Sequence, residues 1–191
     1  MKRLVFLRHG KTEGTERHLY YGATDLPLLD AGVRELREAA ARGVYPIAAG
    51  FSFVTTGMRR TNQTLRAIYG DVPFSVIEDL REVNFGIFEM KSYENLKDEP
   101  VYQAWLSGDW FSNTPPEGES FRDAEARLLR GLAKLLSREE DTVCVCHGGT
   151  ILTAMAKLFP EEGKDGYVWQ PKPGFGYTID LVNRAYLPIS G

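Results

Sequence analysis

Two of the three histidines in this 191-residue chain stand directly behind short apolar runs, and each is followed by glycine. Leu4-Val5-Phe6-Leu7 leads into Arg8-His9-Gly10, and Thr142-Val143-Cys144-Val145-Cys146 leads into His147-Gly148-Gly149. An imidazole with a free lone pair near neutral pH is a nucleophile or a general base. An adjacent arginine offers a planar cation to phosphate or carboxylate oxygens. Glycine, lacking Cβ, lets backbone come close to a ligand. Taken singly, a histidine beside arginine is an ordinary boundary residue; the repeated junction is what predicts two imidazoles converging on one pocket.

Positioning them requires strands. Both apolar runs read as short buried strands, and open α/β sheets place ligand sites just outside the carboxyl ends of their strands. Strand and helix patterns alternate along the rest of the chain, which predicts a layered α/β architecture. Asp30 is expected to cap a helix running to about Arg42, with Gly43 as its stop. Further strands are expected at 51–54, 74–77, 142–146, 177–182 and 185–187, with helices at 57–69, 120–136 and 150–159. Ser120-x-x-Asp123 approximates a capping box. Between about 79 and 120 aromatic and charged residues mix and the pattern loosens, as expected of an insertion lying over the sheet within a single domain spanning 1–191.

Bulk properties narrow the function. Hydrophobic residues make up 43% and charged residues 26%, the composition of an ordinary globular protein. A formal charge of -3 gives no general attraction for nucleic acid or anionic membranes, so an anionic ligand must be held by local cations. No apolar run reaches the length of a membrane span or of a signal-peptide core, and a cytoplasmic protein is expected. Cys144 and Cys146 share one face of their strand beside His147, but structural zinc sites need four ligands at longer spacings. Reduced thiols packing as small hydrophobes are the favoured reading.

Four segments ask for a common explanation: Arg8-His9-Gly10, Thr56 to Thr64, Leu80 to Gly86, and His147-Gly148-Gly149-Thr150. In this order they resemble the histidine phosphatase superfamily, also called phosphoglycerate mutase-like, from about Arg3 to Leu181. The resemblance implies a three-layer α/β/α sandwich with a mostly parallel central sheet and a small helical insertion over the active site. It implies phosphoryl transfer through a phosphohistidine at His9, with no metal and no cofactor. Arg8, Arg60 and His147 are then the charge stabilisers, and Glu82 protonates the leaving group and activates water. The family pattern Ser-Pro-Leu-x-Arg-Ala-x-Gln-Thr lays onto Thr56–Thr64 with Arg60, not Arg59, under its arginine. Thr15, Gly22 and Gly148 complete the expected phosphate and substrate contacts. On residue type alone Glu82 reads first as a surface partner of Arg81 or another cation, and it is the flanking Asn84-Phe85-Gly86, matching the family, that overturns this. Lys11, Thr15, Gly57 and Met90 depart from the family's Glu, Asn, Pro and Gly.

Tyr21 to Leu28, Phe85 to Glu89 and Pro115 to Ser120 resemble the α-ribazole phosphatase and broad-specificity branch. The glycolytic mutases are longer, so hydrolysis of a small phosphorylated metabolite is expected, releasing inorganic phosphate. A cofactor-dependent phosphoglycerate mutase and a catalytically silent phospho-ligand or partner-binding module stand as alternatives, and a homodimer is left open. The insertion's aromatic residues form either an apolar lid or the insertion's own core.

Overall fold

Leu4 and Phe6 face one side of strand β1 (Arg3–Arg8), Val5 and Leu7 the other. All four are fully buried in the computed structural model, which describes residues 2–164 and 166–191. A strand buried on both faces needs helices on both. There follow α1 (Glu13–Glu16), α2 (Asp30–Ala41), β2 (Ser52–Thr55), α3 (Arg59–Tyr69), β3 (Ser75–Val76), α4 (Tyr93–Leu96) and α5 (Pro100–Leu106). Then come α6 (Phe121–Leu136), β4 (Thr142–Cys146), α7 (Gly148–Leu158), β5 (Gly176–Asp180) and β6 (Ala185–Ile189).

The sheet runs β3-β2-β4-β1-β5-β6. The first four strands are parallel, β5 is antiparallel to β1, and β6 is antiparallel to β5. On one face Val5, Leu7, Val143 and Val145 pack against Leu36 and Ala39 of α2 and Leu65 of α3. On the other, Leu4, Phe6, Cys144 and Cys146 pack against Leu132 and Leu135 of α6 and Ile151, Ala154 and Met155 of α7. The result is the expected three-layer α/β/α sandwich with a mostly parallel sheet. Burying each such Leu or Ile side chain contributes about 1.5–3 kcal/mol.

Several boundaries differ from the sequence expectation, each for a local reason. Leu29, not Asp30, is the N-cap of α2, and it makes no side-chain cap bond. Asp30 lies instead in the first turn, where its charge meets the positive end of the helix. α3 begins at Arg59 because Gly57, at φ +81°, cannot continue a right-handed helix. α7 begins at Gly148, two residues earlier than expected, with the extended backbone of His147 as its N-cap. Ser120 does cap α6, its Oγ accepting from the Asp123 amide at 3.0 Å. The insertion builds a separate cluster in which Phe88, Leu96, Tyr102 and Trp105 are buried, with Tyr20, Phe85 and Phe121 packed against it. Most of its aromatic residues are therefore its own core, while Tyr93 and Trp110 remain about half exposed.

Candidate active site

β1 and β4 lie side by side with Arg8 opposite Cys146, so both histidines leave the sheet at the same end. The His9 amide donates to the Cys146 carbonyl at 3.0 Å, tying the two junctions together. The imidazole centroids are 5.4 Å apart, close enough to share one ligand. Both rings are buried.

Their hydrogen bonds differ. His9 Nδ1 lies 2.8 Å from the Gly10 carbonyl oxygen, which only accepts, so Nδ1 carries the proton and the Nε2 lone pair is free. Burial, then the charges of Arg60 and Arg8, hold the His9 pKa well below 6.5, so the ring is neutral at pH 7. His147 is engaged at both nitrogens. Arg60 Nε–H donates toward Nδ1 at 3.3 Å, which leaves the proton on Nε2, 2.9 Å from Thr56 Oγ1. The Thr56 hydroxyl continues to Thr61 Oγ1 at 3.2 Å, and Thr61 donates to the Met58 carbonyl at 2.8 Å. Burial, followed by Arg60, likewise lowers the His147 pKa well below 6.5.

The cations come from the two elements that sequence reading assigned. Arg60, on the first turn of α3, is fully buried, whereas its neighbour Arg59 is exposed. Its terminal nitrogens donate to the carbonyls of Gly22 and Thr24, both at 2.8 Å. Arg8 Nη1 donates to the Pro171 carbonyl at 2.8 Å, and its buried Nε has no partner among the described residues. A buried, unpaired guanidinium N–H beside a neutral imidazole is a donor waiting for an anion. Gln63 and Thr64 have structural tasks as well: Gln63 Oε1 accepts from the Leu28 amide, and Thr64 Oγ1 from the Gly10 amide. These bonds fix α3 against the His9 loop.

Glu82 is not the surface partner of Arg81, which pairs with Glu78 at 3.1 Å. The Glu82 carboxylate accepts instead from the Gly149 amide at 2.9 Å, at the N-terminus of α7, and from its own Val83 amide at 3.1 Å. A Cβ at Gly149 would stand 2.4 Å from Glu82 Oε1, so a side chain there would push the carboxylate out of this position. Arg127 of α6 gathers the segment that carries Glu82. Its Nη1 donates to the carbonyls of Asp79 and Arg81, both at 2.9 Å, and it pairs with Glu119 at 2.5 Å. Glu119 in turn accepts from the Asn84 amide at 3.0 Å.

Three expected contacts look different in three dimensions. Thr15 closes the capping box of α1, its hydroxyl donating to the Thr12 carbonyl at 2.8 Å and accepting from the Thr12 amide, also at 2.8 Å. Gly22 gives its amide to Glu89 at 2.8 Å and its carbonyl to Arg60, so both of its backbone polar groups are engaged within the cradle. Gly148 opens α7 with Gln170 packed against its Cα. Cys144 and Cys146 are free thiols, fully buried in the apolar cluster under α6 and α7. Among the described residues no three His, Cys, Asp or Glu side chains gather as a metal site.

Sequence reading gave no positioning role to four residues near the imidazoles. Tyr21 places its hydroxyl 3.5 Å from His9 Nε2, and its ring lies under the Arg60 guanidinium at 5.2 Å. Burial raises the Tyr21 pKa, keeping the hydroxyl a neutral donor. Thr56, Glu89 and Arg127 act on the assigned residues through hydrogen bonds. Tyr21, Thr56 and Glu89 stand inside segments already singled out, which was the available signal; Arg127 stands in none. A cavity of about 370 Å³ shares Gly22 and Glu82 with the site and is further lined by Met58, Arg81, Asn84, Glu119 and Arg127.

Comparison with known proteins places this geometry. The sequence profile of the histidine phosphatase superfamily (branch 1) matches residues 4–172. The adenosylcobalamin/alpha-ribazole phosphatase of Escherichia coli K12 is 29% identical over 191 residues, covering 95% of this chain and 91% of the relative. A 2,3-bisphosphoglycerate-dependent phosphoglycerate mutase of Rhizobium etli is 32% identical over 167 residues, covering 79% and 77%. The crystal structure of the alpha-ribazole phosphatase from Shigella flexneri superposes with a TM-score of 0.85 at 25% identity, over 98% of this chain and 96% of that one.

Proposed function

We propose that this chain, which belongs to the histidine phosphatase superfamily (branch 1), hydrolyses small phosphomonoesters through a phosphohistidine at His9 without a metal ion. The observation that carries this reading is the tautomer of His9: with Nδ1–H bound to the Gly10 carbonyl, the Nε2 lone pair faces a buried site flanked by Arg8 and Arg60. Nε2 attacks phosphorus and the P–O ester bond breaks. Glu82 gives its proton to the departing alkoxide. Water, deprotonated by the Glu82 carboxylate, then displaces Nε2 and releases inorganic phosphate. Arg8 and Arg60 neutralise the equatorial oxygens during both transfers, where electrostatic stabilisation contributes most of the catalysis.

An α-ribazole 5′-phosphate-like nucleotide is the favoured substrate, supported by near-full-length similarity to the Escherichia coli relative. Mutase action is the second reading, favoured by the 32% identity to the Rhizobium etli enzyme. The deciding experiment is a screen of phosphorylated nucleosides, sugars and glycolytic acids in EDTA, with acid-labile phosphoenzyme followed in wild type and His9→Ala. Hydrolysis that survives chelation, with a phosphoenzyme absent from the variant, is expected. Activity lost to EDTA and restored by magnesium overturns the mechanism. Transfer from 2,3-bisphosphoglycerate to a phosphoglycerate faster than to water replaces hydrolase by mutase.

A further inference from the structure

Glu89 lies in the insertion, yet its carboxylate has more partners than any acidic group near the imidazoles. Oε1 accepts from the amides of Gly22 at 2.8 Å, Ala23 at 3.1 Å and Phe85 at 3.0 Å. Oε2 accepts from the Thr24 amide at 3.0 Å and the Thr24 hydroxyl at 2.5 Å. Five donors on two oxygens leave no free position for moving a proton to a substrate. They do fix the backbone of residues 22–24 from one side. From the other side, the carbonyls of Gly22 and Thr24 hold the two terminal nitrogens of Arg60, whose Nε addresses His147.

We propose that Glu89 is a positioning residue that sets the angle of the Arg60 guanidinium by fixing the 22–24 loop, thereby coupling the insertion to the phosphate cradle. Peptide planes are rigid, so the Ala23 amide held by Glu89 orients the Gly22 carbonyl that shares its plane, while the held amide and hydroxyl of Thr24 anchor the residue that carries the second carbonyl. A planar guanidinium gripped by two such carbonyls keeps its remaining N–H groups in a single plane. Arg60 is fully buried, and no solvent is present to replace those contacts if the loop shifts. Gly22 fits the same picture: a Cβ there would lie 1.6 Å from the Val83 carbonyl oxygen, so the loop is packed tightly against the segment that carries Glu82. The chain leaves Glu89 through Met90, at φ +62°, whose amide donates to the Tyr20 carbonyl at 2.7 Å. A non-glycine residue in that region is strained and persists only where its surroundings demand it.

The proposal rests on the phosphatase reading of the site, and its test separates the two. Glu89→Gln keeps the shape but sets an amide NH₂ against the Thr24 amide N–H. Inorganic phosphate binding is measured by calorimetry for wild type, Glu89→Gln, Arg60→Lys and the double variant. Phosphate affinity is expected to fall about 10-fold on Glu89→Gln, the effect of one charge-assisted hydrogen bond put out of line. The same substitution in the Arg60→Lys background is expected to change nothing, because the group being positioned is gone. An equal fold-loss in both backgrounds, or no loss in the first, overturns the proposal. Should Glu89→Gln fail to fold, Thr24→Val removes only the hydroxyl bond to Oε2 and is expected to show the same dependence on Arg60 with about a 3-fold loss. Turnover per phosphorylatable site should fall equally for p-nitrophenyl phosphate and an alkyl phosphate. A drop confined to the alkyl ester makes Glu89 a proton donor and overturns its positioning role. Phosphate binding without any phosphohistidine refutes the hydrolase mechanism while leaving the Glu89–Arg60 coupling measurable.

Discussion

His9 and His147 end neighbouring parallel strands, are buried alike, and are each followed by glycine. At His9, among the described residues, the close partner of Nδ1 is the carbonyl of its own neighbour, and Nε2 has a long contact to Tyr21 alone. At His147 both nitrogens are occupied, one by a buried guanidinium and one by a chain of threonine hydroxyls. Matching positions thus acquire different chemistry from what surrounds them. A ring with a free lone pair can attack; a ring locked on both sides can only shape the field. The elements that make the difference, α3 and the segment before it, lie between the two histidines in sequence and between their roles in the site.

The sharpest way to break this comparison is to remove each ring. His9→Ala is expected to lower kcat on the order of 10⁵-fold and abolish the phosphoenzyme, as loss of a nucleophile does. His147→Ala is expected to cost about 10²–10³-fold, the loss typical of one charge-stabilising donor, with slow phosphoenzyme formation retained. Quench-flow with acid-labile phosphate as the readout decides it. A phosphoenzyme that survives His9→Ala and vanishes in His147→Ala would reverse the assignment.

Glu82 sharpens the comparison by separating nucleophilic attack from proton delivery. Glu82→Gln should lower kcat by about 10²–10⁴-fold for an alkyl phosphate, whose leaving group needs a proton. With p-nitrophenyl phosphate the first step should suffer far less, and a burst should appear if dephosphorylation slows. Equal, small losses on both esters transfer the role to another carboxylate. Glu119 and Glu89 are poor replacements, being held by Arg127 and by five donors respectively.

Thr56→Val tests the lock on His147 directly. It removes the acceptor of the Nε2 proton and leaves a buried N–H unpaired, a cost of about 1–3 kcal/mol in stability. Turnover should fall about 10-fold while phosphoenzyme still forms on His9. A chemical shift of the His147 ring nitrogens unchanged between wild type and variant would show that Thr56 does not set the tautomer.

The smallest effect concerns pH. Both imidazoles are held below 6.5, by burial first and by Arg60 next. As pH falls below 6.5 the unfolded chain takes up protons on these rings and the folded chain does not, so stability declines toward the folded pKa values. The urea midpoint should be lower at pH 5 than at pH 7, and the difference should shrink in His147→Asn. An undiminished difference assigns the acid loss to other groups. Activity on p-nitrophenyl phosphate should show no acid limb centred on 6.5.

Much of this was legible in the chain. Apolar runs ending in His-Gly fixed two strands to within a residue, because buried parallel strands are continuous apolar segments and need no partner information to be recognised. The register of Thr56–Thr64 separated buried Arg60 from exposed Arg59. Local chemistry also set the Ser120 cap and the Gly43 stop. Helix starts after Gly57 and His147 were misplaced by two residues, since the backbone angles at those positions answer to the sheet end and not to propensity.

Tertiary structure decided the roles. Thr15 and Gly22 stand at positions expected to touch phosphate, yet their polar groups face Thr12, Glu89 and Arg60. Glu89 and Arg127 act across 65 and 45 residues of chain to hold Thr24 and Glu82 in place. Residue types and spacing determine which groups reach the end of the sheet. Which nitrogen carries a proton, and which carboxylate is free to give one, depends on partners distant in sequence, and only the folded chain brings those within hydrogen-bonding distance.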